Sequence, residues 1–225
     1  MSEESKDRHS TDASWGRPPL RSDAATFAAV TRILIVRHGQ SEWNADGRWQ
    51  GQENPPLTDL GREQAAHAAK AVGMVDGIYS SPLDRAATTA AIVGEEVGIG
   101  PVVTLPGLME RHAGEWQGLT RDEINEDWPG YLDDGRRPPG WEPDEHVEAR
   151  GIGALDQMAA DHPYGQVLAV SHAGLIFQIE HHFGLEWERL ANLGGRWLER
   201  EPSGGPWKIG PRVHLLVDET VPDQI

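Results

Sequence analysis

Two short apolar runs constrain the fold more than any other feature. Arg32-Ile-Leu-Ile-Val36 and Gln166-Val-Leu-Ala-Val170 are rich in β-branched residues, and each runs into a polar residue, a histidine and a small residue. The two endings are Arg37-His38-Gly39 and Ser171-His172-Ala173. Runs without polar alternation read as strands buried on both faces, as in a parallel sheet. Between and around them the sequence predicts further elements. Thr58 is a cap for a helix to about Val72, Gly77–Ser80 is a second strand, and Leu83–Val97 is an Ala-rich helix. Val102–Thr104 reads as a third strand, Glu148–His162 as a helix, and the stretch after His172 as a helix to about Phe183. From about Arg196 the chain alternates like a hairpin around Ser203-Gly204-Gly205-Pro206. This order predicts an α/β three-layer sandwich, a mostly parallel central sheet with helices on both faces. In such sheets ligands gather beyond the carboxyl ends of the strands, which is where His38 and His172 stand.

The chain has 225 residues, a length that suits one domain. Residues 1–28 read as a disordered leader by composition, and 29–225 as a single domain. Within it, residues 119–146 carry Trp128-Pro129-Gly130 and Arg136-Arg137-Pro138-Pro139-Gly140 and read as an excursion or small cap. Twenty Lys and Arg stand against 36 Asp and Glu, a formal charge of −16. Such a surface repels nucleic acid backbones and anionic bilayers, so neither is expected as a partner. A phosphorylated ligand would need arginines focused locally against that field. The absence of cysteine excludes disulfides, zinc–thiolate sites and thiol nucleophiles. No apolar run has bilayer length, and Met1–Arg21 has no signal-peptide core, so a soluble, cytoplasmic protein is expected.

One strand-end histidine is more often structural than catalytic; two in matching contexts, one beside Arg37, shift the balance. Arg37 and Arg85 are candidates to grip a phosphoryl group, because paired guanidiniums fit its oxygens in forked geometry. From spacing alone, Arg85 reads better as half of an Asp84–Arg85 surface pair. His181-His182 and Asp144-Glu145-His146 match no recognised metal spacing and read as surface polar residues. Gly194-Gly195 suggests a turn, and no phosphate-binding loop motif is present. Of the nine tryptophans, Trp43, Trp49 and Trp141 are those suspected of lining a pocket.

Five ordered motifs carry a family resemblance. They are Arg37-His38-Gly39-Gln40-Ser41-Glu42-Trp43-Asn44, Gly47–Gly51 with Pro56–Gly61, Ser80-Ser81-Pro82-Leu83-Asp84-Arg85, Glu110–Gly118, and Val170-Ser171-His172-Ala173-Gly174. Together they resemble the histidine phosphatase (phosphoglycerate mutase-like) superfamily over about residues 32–200. The resemblance implies that His38 is a nucleophile that becomes phosphorylated. It implies that Arg37, Arg85 and His172 hold the phosphoryl oxygens, with Asn44, Gln50 and Ala173 in the substrate site, and that Glu110 is the proton donor. It further implies no cofactor and no metal, a small-molecule phosphoester as the partner, and compatibility with a homodimer. The residue types suit the chemistry. Phosphoryl transfer is mainly positioning and electrostatic stabilisation, and neighbouring arginines keep an attacking imidazole neutral.

Three functions compete: phosphomonoester hydrolysis, a cofactor-dependent phosphoglycerate mutase, and a catalytically silent relative. A silent relative usually lacks one of the key groups, and all are present here. The Gly114–Thr120 stretch and the short excursion resemble the phosphatase branch, and the layout through Leu193-Gly194-Gly195 resembles its glucosyl-3-phosphoglycerate phosphatases. Phosphatase is therefore the expectation. Two departures bear on substrate identity: Pro143-Asp144-Glu145-His146 replaces a more usual Gly-Glu-Ser/Asp element, and Ala173 replaces a glycine. Arg136-Arg137 either reads a substrate carboxylate or is a solvated charge pair; the sequence does not separate the two.

Overall fold

The computed structural model describes residues 30–216; the expected leader lies outside them. The elements in chain order are β1 (Thr31–Arg37), α1 (Glu42–Ala45), α2 (Asp59–Val72), β2 (Gly77–Ser80), α3 (Asp84–Val97), β3 (Val103–Thr104), α4 (Arg121–Asp127), α5 (Tyr131–Asp134), α6 (Asp144–Asp161), β4 (Gln166–Ser171), α7 (Ala173–His182), β5 (Gly194–Arg200) and β6 (Lys208–His214). The sheet order is β3-β2-β4-β1-β5-β6. β3, β2, β4 and β1 run parallel, and the hairpin β5–β6 adds two antiparallel strands along β1.

Alternation along each strand builds two cores. Ile33 and Ile35 of β1, Val167 and Ala169 of β4 and Tyr79 of β2 face α6 and α7, meeting Leu155, Met158, Leu175 and Ile179. Leu34, Val36, Leu168, Val170 and Ile78 face the other way, onto Ala68, Val72, Ala90 and Val93 of α2 and α3. Both faces of β1 and β4 are therefore buried, which explains why their sequences lack polar alternation. The three-layer α/β expectation is met.

β1 and β4 are neighbours in register, Arg37 opposite Ser171, so their two histidines leave the sheet side by side. The chain then turns tightly against α2. A Cβ on Gly39 would sit 2.4 Å from the Gly61 carbonyl oxygen, and one on Gly61 would sit 2.0 Å from that of Gln40. Only glycine fits either place. Thr58 caps α2 through its side-chain oxygen, which accepts from Gly61 N–H.

Three boundaries differ from expectation. α6 begins at Asp144, earlier than expected, because Asp144 and Glu145 in its first turn suit the positive end of the helix. Gly194-Gly195 opens β5 instead of turning; a Cβ on Gly195 would lie 2.0 Å from Ile35 O, so the pair permits close strand approach. The excursion is not loop alone: it holds α4, closed by a Thr120–Glu123 capping box, and α5.

Candidate active site

His38 and His172 meet beyond the sheet with ring centroids 5.1 Å apart. His38 is only 2% exposed, and its Nδ1 lies 2.6 Å from the Gly39 carbonyl oxygen. A carbonyl can only accept, so Nδ1 carries the proton and Nε2 keeps its lone pair. The Nε–H of Arg85 donates to that Nε2 at 3.2 Å. Burial, then Arg85, then Arg37 push the His38 pKa well below the ordinary imidazole value. The imidazole is thus neutral at neutral pH, with a defined nucleophilic atom.

Arg85 is fully buried, not half of a surface pair. Its two Nη atoms donate to the carbonyls of Glu53 and Gly51, at 2.7 and 2.8 Å, and burial draws its pKa down to about 10. It remains cationic at neutral pH. Spacing favoured the surface pair because the loop that receives Arg85 lies some thirty residues upstream, a distance local patterns do not see. Arg37 donates through Nη1 to Leu190 O at 2.8 Å.

Glu110 turns its carboxylate to the same space. Oε1 accepts from Arg111 N–H at 2.7 Å and Oε2 from Gly174 N–H at 3.0 Å, at the start of α7. Asn44 accepts from Ser41 N–H through Oδ1, which leaves its NH₂ for the cavity it lines. Gln50 lines the cavity and accepts from Ser41 Oγ through Oε1. Ala173 lines it too.

His172 is fully buried, and it is not among the residues lining the cavity. Its Nε2 lies 2.8 Å from Ser81 Oγ, while Nδ1 is buried without a hydrogen-bond partner. Burial comes first and Arg85 second in pushing its pKa well down.

The cavity measures about 770 Å³. Its wall carries five arginines (37, 48, 85, 111 and 137) against three carboxylates (Glu110, Asp144 and Glu145), a positive site in a chain of charge −16. That local excess resolves how an acidic protein admits an anion. Asp144, Glu145 and His181 are exposed, as the sequence suggests, and also line the cavity. Trp49 and Trp141 line it and stack with the buried Trp116. Trp43 does not; its ring packs over Gly118. The Arg136-Arg137 pair divides. Arg136 pairs with Asp134 and stacks on Tyr131, whereas Arg137 lines the cavity with its guanidinium 5.0 Å from the Trp141 ring centre.

Several groups escaped sequence reasoning. From distant elements Ser81 meets His172, Asn192 donates to the His38 carbonyl and Thr89 accepts from the neighbouring Gly39 N–H, and Phe177 and Trp187 form part of the mouth. Only Ser81, inside a recognised motif, left a readable signal.

The profile of the histidine phosphatase superfamily (branch 1) matches residues 33–196. The chain belongs to that superfamily. A glucosyl-3-phosphoglycerate phosphatase of Mycolicibacterium vanbaalenii is 38% identical over 184 residues, 74% of this chain and 80% of its own. A metal-independent phosphoserine phosphatase of Arabidopsis thaliana is 35% identical over 164 residues, 68% of this chain and 69% of its own. The structure of a mycobacterial glucosyl-3-phosphoglycerate phosphatase in complex with VO3 superposes with a TM-score of 0.72 at 31% identity, covering 79% of this chain and 96% of the other. These superfamily relatives are phosphatases, which favours hydrolysis over mutase chemistry.

Proposed function

We propose that this histidine phosphatase hydrolyses small phosphomonoesters without a metal, through a phosphohistidine on His38 Nε2. The observation that carries this reading is the tautomer. With Nδ1–H committed to Gly39 O, the lone pair sits on Nε2, beside an arginine that is cationic at neutral pH. In the first step that lone pair attacks phosphorus. The P–O bond to the leaving group breaks, and the Glu110 carboxyl supplies the leaving oxygen's proton. Arg37, Arg85 and the Asn44 amide stabilise the charge spread over the three phosphoryl oxygens. The buried, unpartnered Nδ1 of His172 is satisfied when an oxygen reaches it; an orphaned buried polar group otherwise costs about 1–3 kcal/mol. In the second step water attacks phosphorus, gives its proton to Glu110, and the N–P bond returns its electrons to Nε2.

The finer substrate class follows from the outer cavity. Its volume exceeds a phosphoryl group's needs, its walls include Trp49, Trp141 and Phe177, and Arg137 makes no ion pair among the described residues. This supports a leaving group that carries a carboxylate and an apolar or ring face, the class to which the relatives' named substrate glucosyl-3-phosphoglycerate belongs.

The test is rapid quenching of turnover with ³²P-labelled substrate in EDTA. An acid-labile, alkali-stable label on His38, absent from His38→Ala, is expected. Unlabelled protein during turnover, or turnover abolished by the chelator, would overturn the reading.

A further inference from the structure

The tautomer of His38 depends on the Gly39 carbonyl, and Gly39 is the residue least able to hold that carbonyl still. It must be glycine because α2 leaves no room for a Cβ. Glycine has the greatest backbone freedom of any residue. Something outside must remove that freedom.

Two side chains grip the His38–Gly39 peptide at its two ends. Thr89 Oγ1, on α3, accepts from Gly39 N–H at 3.1 Å while donating to Arg85 O. Asn192 Nδ2, from the loop before β5, donates to His38 O at 2.9 Å. Asn192 is buried, unusual for a loop asparagine. Leu193, next to it, is held at φ 55°, a left-handed conformation that side-chain-bearing residues rarely adopt. That turn brings Leu193 N–H onto Arg37 O at 3.0 Å and the Asn192 amide onto the next carbonyl, that of His38. Strain at such a residue persists only where surrounding contacts over-determine it. Behind the loop, Arg212 ties down the Glu188 and Arg189 carbonyls and is itself fixed by the buried Glu180.

We propose that Asn192 is a positioning residue for the His38 nucleophile: with Thr89 it clamps the His38–Gly39 peptide, which joins the ring-bearing Cα to that of Gly39, while the next peptide, which carries the Gly39 carbonyl, is held by Gln64 Oε1 through Gln40 N–H at 2.8 Å. This rests on His38 being the nucleophile. Asn192 touches no reacting atom; its short contact is to the His38 carbonyl, and the same Nδ2 makes a longer one, 3.5 Å, to Asn44 Oδ1.

The experiment measures phosphohistidine formation by rapid quench, competitive inhibition by inorganic phosphate, and melting temperature. Asn192→Ala slows phosphorylation by about 10²-fold, the cost of a misplacement near 1 Å, while inhibition by inorganic phosphate is unchanged. Because Thr89 holds the same peptide, Thr89→Ala slows the same step and the double variant is no slower than the slower single one. Should Asn192→Ala melt markedly lower, Asn192→Leu, which keeps the volume and removes the donor, serves in its place. A phosphorylation rate like that of the wild type, or losses that multiply in the double variant, would overturn the clamp while leaving His38 as nucleophile. A wild-type enzyme that forms no phosphohistidine would instead overturn the proposed function, and the clamp with it.

Discussion

Arg85 donates its Nε–H to Nε2 of His38 across 3.2 Å, so the guanidinium sits on the lone pair that attack requires. Its Nη groups are held by the carbonyls of Gly51 and Glu53 and are not free to swing away. On the proposed mechanism an incoming phosphoryl oxygen would take over the Nε–H, releasing the Nε2 lone pair only as its target arrives.

Removing that cation should cost both charge stabilisation and control of His38. Arg85→Gln is expected to lower kcat/KM for p-nitrophenyl phosphate by about 10²–10³-fold. Arg85→Lys recovers little, because one ammonium cannot serve two carbonyls and the imidazole in a forked array. The acid limb of the rate profile also moves to higher pH in Arg85→Gln, since Arg85 is the largest charge effect holding the His38 pKa down. A limb that stays in place would refute the coupling.

The two buried histidines also set a pH dependence of stability. Both have folded pKa values far below the ordinary value near 6.5, with burial the first cause. Above about pH 6.5 both states are neutral and the full stability is present. As pH falls below that value the unfolded chain takes up protons that the folded chain refuses, and stability is lost progressively down to the folded pKa. Melting temperature should fall on acidifying through this window. His38→Asn or His172→Asn should flatten the slope, and an unchanged slope in both would contradict the burial argument.

How much of this was legible in the sequence follows from which contacts are local. The buried strands declared themselves through unbroken apolar runs, and His38 through its place at a strand end. Arg85 as a buried residue did not, because Gly51 and Glu53, its acceptors, come from a loop far upstream. The division between Arg136 and Arg137 was equally invisible. It depends on α5 placing Asp134 beside one guanidinium and on Trp141 folding under the other. Asn192 carried no pattern at all; its contact with the His38 carbonyl exists only once β5 lies against β1.

That division yields a prediction with a built-in control. Arg137 lines the cavity with no carboxylate partner among the described residues, whereas Arg136 is occupied by Asp134. Arg137→Ala is expected to raise KM about tenfold for carboxylated phosphoesters, the loss of one charge-assisted contact. It should spare p-nitrophenyl phosphate, and Arg136→Ala should leave both unchanged. Steady-state kinetics on the two substrate types decides it. Equal effects of Arg137→Ala on both would remove carboxylate recognition from the account.

Glu110 offers a way to test proton delivery without altering a titratable group. A Cβ on Gly174 would lie 2.3 Å from Glu110 Oε1, so Gly174→Ala must push the carboxylate aside. The main chain at Gly174 does not need glycine, since it lies in the first turn of α7. The substitution therefore acts through displacement and not through backbone strain. Displacing a general acid matters in proportion to how poor the leaving group is. With an alkyl phosphate the first step needs the proton, and kcat/KM should fall by about 10²-fold or more, the usual contribution of a positioned acid. With p-nitrophenyl phosphate the departing phenolate is already stable, and kcat/KM should change little. Glu110→Gln should show the same dependence on leaving group. If instead both variants slow the two substrates equally, Glu110 contributes charge or shape to the cavity and another group delivers the proton.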